Sequence, residues 1–155
     1  MRRFDRAFVE ETLAALRSIE ADRRPKWGRM TRAQMISHLR TAVRYSLGKE
    51  KQTPNVGGVF GRWIVGPLIL NGWIRIPHNQ KAPPMYDSAL PEATVEQFEE
   101  ELRELLAQVE AGTFQPVPHD FFGDIGAEGW KKLNVIHFEH HLRQFGAVPP
   151  GYLRG

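Results

Sequence analysis

Residues 94–112 read TVEQFEEELRELLAQVEAG, and this stretch decides the fold class. Thr94 is a favourable helix N-cap. Gln97, three residues later, completes a capping-box pattern in which the two side chains satisfy each other's backbone N–H groups. Val95, Phe98, Leu102, Leu105 and Val109 then recur at helical spacing as one apolar stripe. Glu96, Glu99, Glu100, Glu101 and Glu104 are read as the solvated face, and Gly112 ends the element. The pattern predicts a helix over 94–111.

Toward the N-terminus, Thr31 and Gln34 repeat the capping box. Ile36, Leu39, Val43 and Leu47 follow as an apolar stripe, and Gly48 suits the position just past a helix end. His38 lies beside that stripe, on a ridge with Met35, Ala42 and Tyr45. A helix over 31–47 results. A first helix is predicted over 6–21, from Val9, Leu13 and Leu16 with Ile19 widening the stripe, broken by Arg23-Arg24-Pro25. Toward the C-terminus, Pro116, Pro118 and Gly123 punctuate a loop, and a last helix is predicted over 127–145, before Gly146 and Pro149-Pro150. Four helices without a convincing strand pair indicate an all-α bundle.

The segment 49–93 is harder. Val59 to Ile76 is strongly apolar, but Arg62, Pro67, Asn71 and Arg75 interrupt it, so no run approaches the ~20 apolar residues of a membrane span. A shorter buried or surface-packing helix within 57–74 is expected instead, followed by an extended connection marked by Pro77, Pro83, Pro84 and Pro91.

At 155 residues, with 41% hydrophobic and 25% charged content, the chain fits one globular domain, 1–155. It has no cysteine, so thiolate zinc sites are excluded and any metal must take imidazole or oxygen ligands. No apolar signal core follows the N-terminal arginines, and a cytoplasmic location is expected. Net charge is +3, unevenly spread: residues 1–51 hold 13 Lys/Arg against 6 Asp/Glu. A basic segment beside an acidic helix of the same bundle explains this, and no aromatic-basic run supports a nucleic-acid groove. Neither a nucleic-acid nor a membrane partner is expected.

The chemistry concentrates in the last helix, at His137-Phe138-Glu139-His140-His141-Leu142-Arg143-Gln144. At about 100° per residue, His137, His140, His141 and Gln144 share one arc, next to the apolar arc of Phe138, Leu142 and Phe145. That face should point into the bundle or its mouth. Histidines four apart stand one above the other, so His137 and His141 can converge on one ion at ~2.0–2.1 Å. A third ligand must come from another helix, and His38 is the histidine on a partly buried helical position. Three neutral imidazoles would leave the ion its full charge and an open position, which makes a Lewis acid. A di-iron carboxylate site needs paired Glu-x-x-His motifs, and a zincin needs His-Glu-x-x-His; both are absent.

His137-x-x-His140-His141-x-x-Gln144 resembles the final-helix signature of the DinB/YfiT-like putative metalloenzyme superfamily. Trp27-Gly28-Arg29-Met30-Thr31-x-x-Gln34-Met35-x-x-His38-Leu39 resembles the start of its second helix. His119-Asp120-Phe121-Phe122-Gly123, Trp130 and His141-Leu142-Arg143-Gln144-Phe145-Gly146 look like a bacterial branch of unassigned function. The resemblance implies a four-helix bundle connected up-down-down-up, with 49–93 as the long crossover and an extra helix inside it. It implies a metal triad of His38, His137 and His141, with His140 as a neighbour of the site. Characterised relatives include transferases and isomerases in which the metal binds a low-molecular-weight thiol and stabilises its thiolate.

The expected function is therefore divalent-metal binding, zinc or nickel being the ions anticipated, with thiol S-transfer or isomerisation of a small-molecule substrate. The alternatives are a binding or stress-response module without turnover, and a metal-dependent hydrolase. His119, His140 and Asp120 are the candidates for acid–base work or for holding the ligands. His78 is read as surface. Trp27, Trp63, Trp73, Phe121 and Phe122 could line an apolar pocket, and the apolar crossover would suit a homodimer interface.

Overall fold

In the computed structural model, residues 2–51, 65–71 and 92–147 are described. They form helices α1 (Arg6–Ser18), α2 (Arg32–Ser46), α3 (Gly66–Leu70), α4 (Val95–Glu110) and α5 (Gly126–Phe145), with no strand among the described residues. The all-α expectation holds. Among the described residues, the bridge between His119 and Gly123 closes a loop rather than starting a sheet.

Local signals explain where the helices begin. The Asp5 carboxylate accepts from the Phe8 N–H at 2.9 Å. Thr31 and Gln34 form the full capping box of α2, and Thr94 and Gln97 that of α4. Each cap satisfies backbone donors that the first turn would otherwise leave without a partner. α1 stops at Ser18, three residues before the expected end. Ile19 leaves the helix with extended backbone and is itself buried, so burying that side chain outweighs another helical turn. α5 closes at Gly146 in the left-handed conformation, φ 70°. The Gly146 N–H bonds to the Arg143 carbonyl at 3.0 Å and the Ala147 N–H to that of Leu142 at 2.9 Å, the two bonds of a Schellman turn.

α1 and α2 each pack against both α4 and α5, while α3 rests on α5. The shared core includes Phe8, Leu13, Met35, Leu39, Phe98, Leu102 and Phe138. Phe138 lies at its centre, stacked on Phe8 at 6.1 Å between centroids and edge-on to Phe98 at 5.6 Å. The apolar stripes identified above thus meet one another and fix the rotation of α5, which decides where its histidines point.

One expectation fails. Glu101 does not face water but is 6% exposed, accepting from Arg44 Nη1 at 2.7 Å and Lys49 Nζ at 2.8 Å. Burial pulls its carboxyl up, yet those hydrogen bonds outweigh it and hold the group below its ordinary range. The basic N-terminal third meets the acidic helix here, which is how the uneven charge is used. Of the expected helix within 57–74, Gly66–Leu70 is seen. The remaining expectations for the crossover, including His78, Trp63, Trp73 and a dimer face, lie outside the described residues. No helix among the described residues is long and apolar enough to cross a membrane.

Candidate metal centre

His38 reaches the site from α2, and His137 and His141 from successive turns of α5. Their ring centroids stand 4.7, 4.8 and 4.8 Å apart, each pair edge-to-face at 87°, 73° and 69°. His38 Nε2 lies 2.7 Å from His137 Nε2, which lies 3.2 Å from His141 Nε2. All three ligand atoms fall within 4.8 Å of one another. The three histidines therefore stand close enough together to hold one metal ion.

The donor set fits a cation. Burial pushes His38 down to about 4, helped by His140, and drives His137 and His141 well below their ordinary value. Neutral imidazoles each keep a lone pair, and nitrogens this close are satisfied by N–H···N bonds between the rings or by a cation held in their place. A single ion bonded at ~2.1 Å requires the widest nitrogen pair to stand at most ~4.2 Å apart, so ring rotations of under an ångström complete the site.

The surroundings are ordered as well. The His141 Nδ1 lies 2.8 Å from Gln144 Oε1, and the Gln144 Nε2 donates to the Trp27 carbonyl at 3.0 Å. The Lys26 N–H reaches the Gln144 carbonyl at 2.7 Å, pinning the α1–α2 loop to the end of α5. His140 is not in the triad. It meets His141 edge-on at 5.1 Å and Trp27 at 5.8 Å, so it stands beside the site, partly exposed.

His119 sits in the loop before α5, boxed by Phe122 at 4.7 Å, Trp130 at 5.0 Å and Tyr45 at 6.2 Å. Its Nδ1 accepts the backbone N–H groups of Phe121 and Phe122 at 3.0 and 3.2 Å. Its proton therefore rides on Nε2, and burial holds it down at about 4, opposed by Asp120. In this state the ring orders its own loop and offers a fixed N–H donor. Asp120 accepts from the Tyr45 hydroxyl. That partnership was missed, since Tyr45 reads as a core aromatic; its place on the ridge of His38, two turns on, was the available signal. Asn134 was missed too. It is 2% exposed, one turn before His137, and its Nδ2 has no partner among the described residues.

With this geometry established, comparison places the chain among its relatives. It belongs to the family described as "Protein of unknown function (DUF1569)", which it matches over residues 5–147. No curated protein and no solved structure matches it significantly.

Proposed function

We propose that this member of the family is a divalent-metal protein of the DinB/YfiT-like kind. In this reading, His38, His137 and His141 hold the ion, and a low-molecular-weight thiol is activated for S-transfer or isomerisation. The observation that carries it is the convergence of three neutral imidazoles from two helices on one point. The packing of α1 and α2 against both α4 and α5, with α3 inside the connection, supports an up-down-down-up four-helix bundle.

When bound, the ion would supply Lewis acidity, stabilising a thiolate or lowering the pKa of water. The chain's own part begins with burial, which removes the proton that would compete for each ligand nitrogen at neutral pH. An all-imidazole set without carboxylate suits zinc or nickel better than magnesium or calcium. His140, beside the triad and partly exposed, would hold or pass a proton without binding the ion. His119 offers its Nε2–H as a donor from a loop that its own Nδ1 keeps in shape.

Cobalt(II) titration of the purified protein tests the reading. One equivalent should give the visible bands of a low-coordinate imidazole site. Adding a panel of small thiols should then introduce a sulfur-to-metal charge-transfer band, and thiol-dependent turnover of electrophiles should follow. Cobalt bands that no thiol perturbs would overturn the thiol chemistry while keeping the metal site. Absence of stoichiometric binding would overturn both.

A further inference from the structure

Gln144 makes two side-chain hydrogen bonds that leave it only one orientation. Its nitrogen and oxygen cannot be told apart by shape, so its partners must decide. The Trp27 carbonyl can only accept, and it lies 3.0 Å from one end of the amide. That end is therefore the NH2 group. The oxygen then faces His141 Nδ1 at 2.8 Å, and an amide oxygen can only accept. Nδ1 must carry the hydrogen. In a neutral imidazole the other nitrogen, Nε2, is then bare, and it is Nε2 that points to His137 at 3.2 Å.

The clamp is built in. Gln144 is 5% exposed and lies one turn beyond His141 on the same face of α5. Its backbone carbonyl accepts from Lys26 N–H at 2.7 Å, so main chain and side chain are both tied to residues 26 and 27.

We infer that Gln144 is a positioning residue that fixes His141 as the Nδ1–H tautomer and so reserves its Nε2 lone pair for a divalent cation. The role assigned to that lone pair rests on the metal reading of the triad; the tautomer does not. Free imidazole favours the opposite tautomer modestly, so without the clamp His141 would have to exchange its hydrogen before binding an ion. Fixing a ligand's tautomer and ring orientation through its second nitrogen is commonly worth about 10–100-fold in metal affinity.

The test uses the whole protein with 15N-labelled histidine. In the metal-free wild type, long-range proton–nitrogen spectra should show His141 protonated on Nδ1 and bare on Nε2. Gln144→Met keeps the volume but cannot accept, and should move His141 toward the Nε2–H form. Zinc affinity by competition with a chelator should fall on the order of 10–100-fold. Gln144→Glu keeps an acceptor facing Nδ1 and should keep that nitrogen protonated, even though it loses the bond to Trp27 and its charge favours the doubly protonated ring at low pH. A wild-type His141 protonated on Nε2 overturns the inference, whatever the variants do. So does a Gln144→Met protein whose tautomer and affinity match the wild type. If the tautomer responds as stated but the wild type binds no metal, the clamp stands and the metal reading fails.

Discussion

His38 and His137 are 99 positions apart in the chain, and their Nε2 atoms lie 2.7 Å from each other. At that separation one neutral ring can donate its Nε2–H to the other, and burial disfavours only the extra proton that would charge them. A cation between the two nitrogens would take the place of that hydrogen bond. The third nitrogen decides how tightly it is held, because two imidazoles alone compete poorly with water for a divalent ion. Replacing His38, His137 or His141 singly with alanine should abolish stoichiometric metal binding. His140→Ala should leave the metal in place and change only rate or pH profile. Metal content of the four purified variants checks this. A His140→Ala protein that loses its metal while His141→Ala keeps it would shift the ligand assignment on α5 by one residue.

Acid should unfold the metal-free protein early. Burial holds His119 and His38 down at about 4, with His137 and His141 also depressed. In the unfolded chain each returns to ~6.5, so between these values the unfolded state binds more protons than the folded one. Stability is then fully present above ~6.5 and is lost as pH falls toward about 4. For His119 alone the difference corresponds to about 3 kcal/mol at most. Urea midpoints measured at pH 7, 5.5 and 4.5 should fall in that order. His119→Gln, which keeps an acceptor for the loop but does not titrate, should flatten part of the slope. A wild-type midpoint constant across this range would show that histidine burial does not govern the acid response.

Glu101 joins α4 to α2 through Arg44 and Lys49. Removing it takes a carboxylate from Arg40, Arg44 and Lys49, but Arg44 keeps Glu50, Lys49 keeps Glu104, and all three side chains are 28–35% exposed and can turn to water. The cost is therefore smaller than for a wholly buried pair, about 1–2 kcal/mol for Glu101→Ala. Glu100→Ala, at an exposed position of the same helix, should stay within about 0.5 kcal/mol. Paired denaturation curves test the contrast, and equal midpoints would show that the ion cluster contributes nothing.

The difference between Glu100 and Glu101 also marks where sequence reading ran out. Periodicity placed the stripes, and the two threonine–glutamine boxes located the starts of α2 and α4 to within a residue. The i,i+4 rule found His137 and His141, because that geometry is internal to one helix. Selecting His38 needed one further step, that a ligand on a core ridge must meet the core of another helix. Glu101 looked like its neighbours because burial of a charge depends on what faces it, and the facing Arg44 and Lys49 belong to a distant segment. Tyr45 and Asp120 pair for the same long-range reason. The early end of α1 reflects a contest between Ile19 burial and helix propensity, which sequence spacing alone does not weigh.

The start of α5 offers a test of how rigidly the site's helix is set. Gly129 lies in its first turn, and in an ordinary helix Gly→Ala would stabilise by about 1 kcal/mol. Here the helix begins irregularly: Ile125 precedes it in a helical rather than extended conformation, with no side-chain cap. Gly126 follows at φ 61°. This folds the Ile125 side chain over Gly129, where an added Cβ would stand 2.6 Å from Ile125 Cβ and 3.0 Å from its Cγ1. The Cβ of Ile125 cannot swing away without moving backbone. Overpacking of this kind costs about 1–3 kcal/mol, enough to cancel or exceed the propensity gain. The neighbour Trp130 donates to the Val117 carbonyl at 2.8 Å and packs against His119, so a shift at the helix start would also loosen the loop beside the site. Gly129→Ala should therefore lower the urea midpoint. In an Ile125→Gly background, which alone removes the Cβ as well, Gly129→Ala should instead raise the midpoint, because the clash is then gone. A single variant more stable than the wild type would mean that this turn yields freely and that α5 is not held at its start.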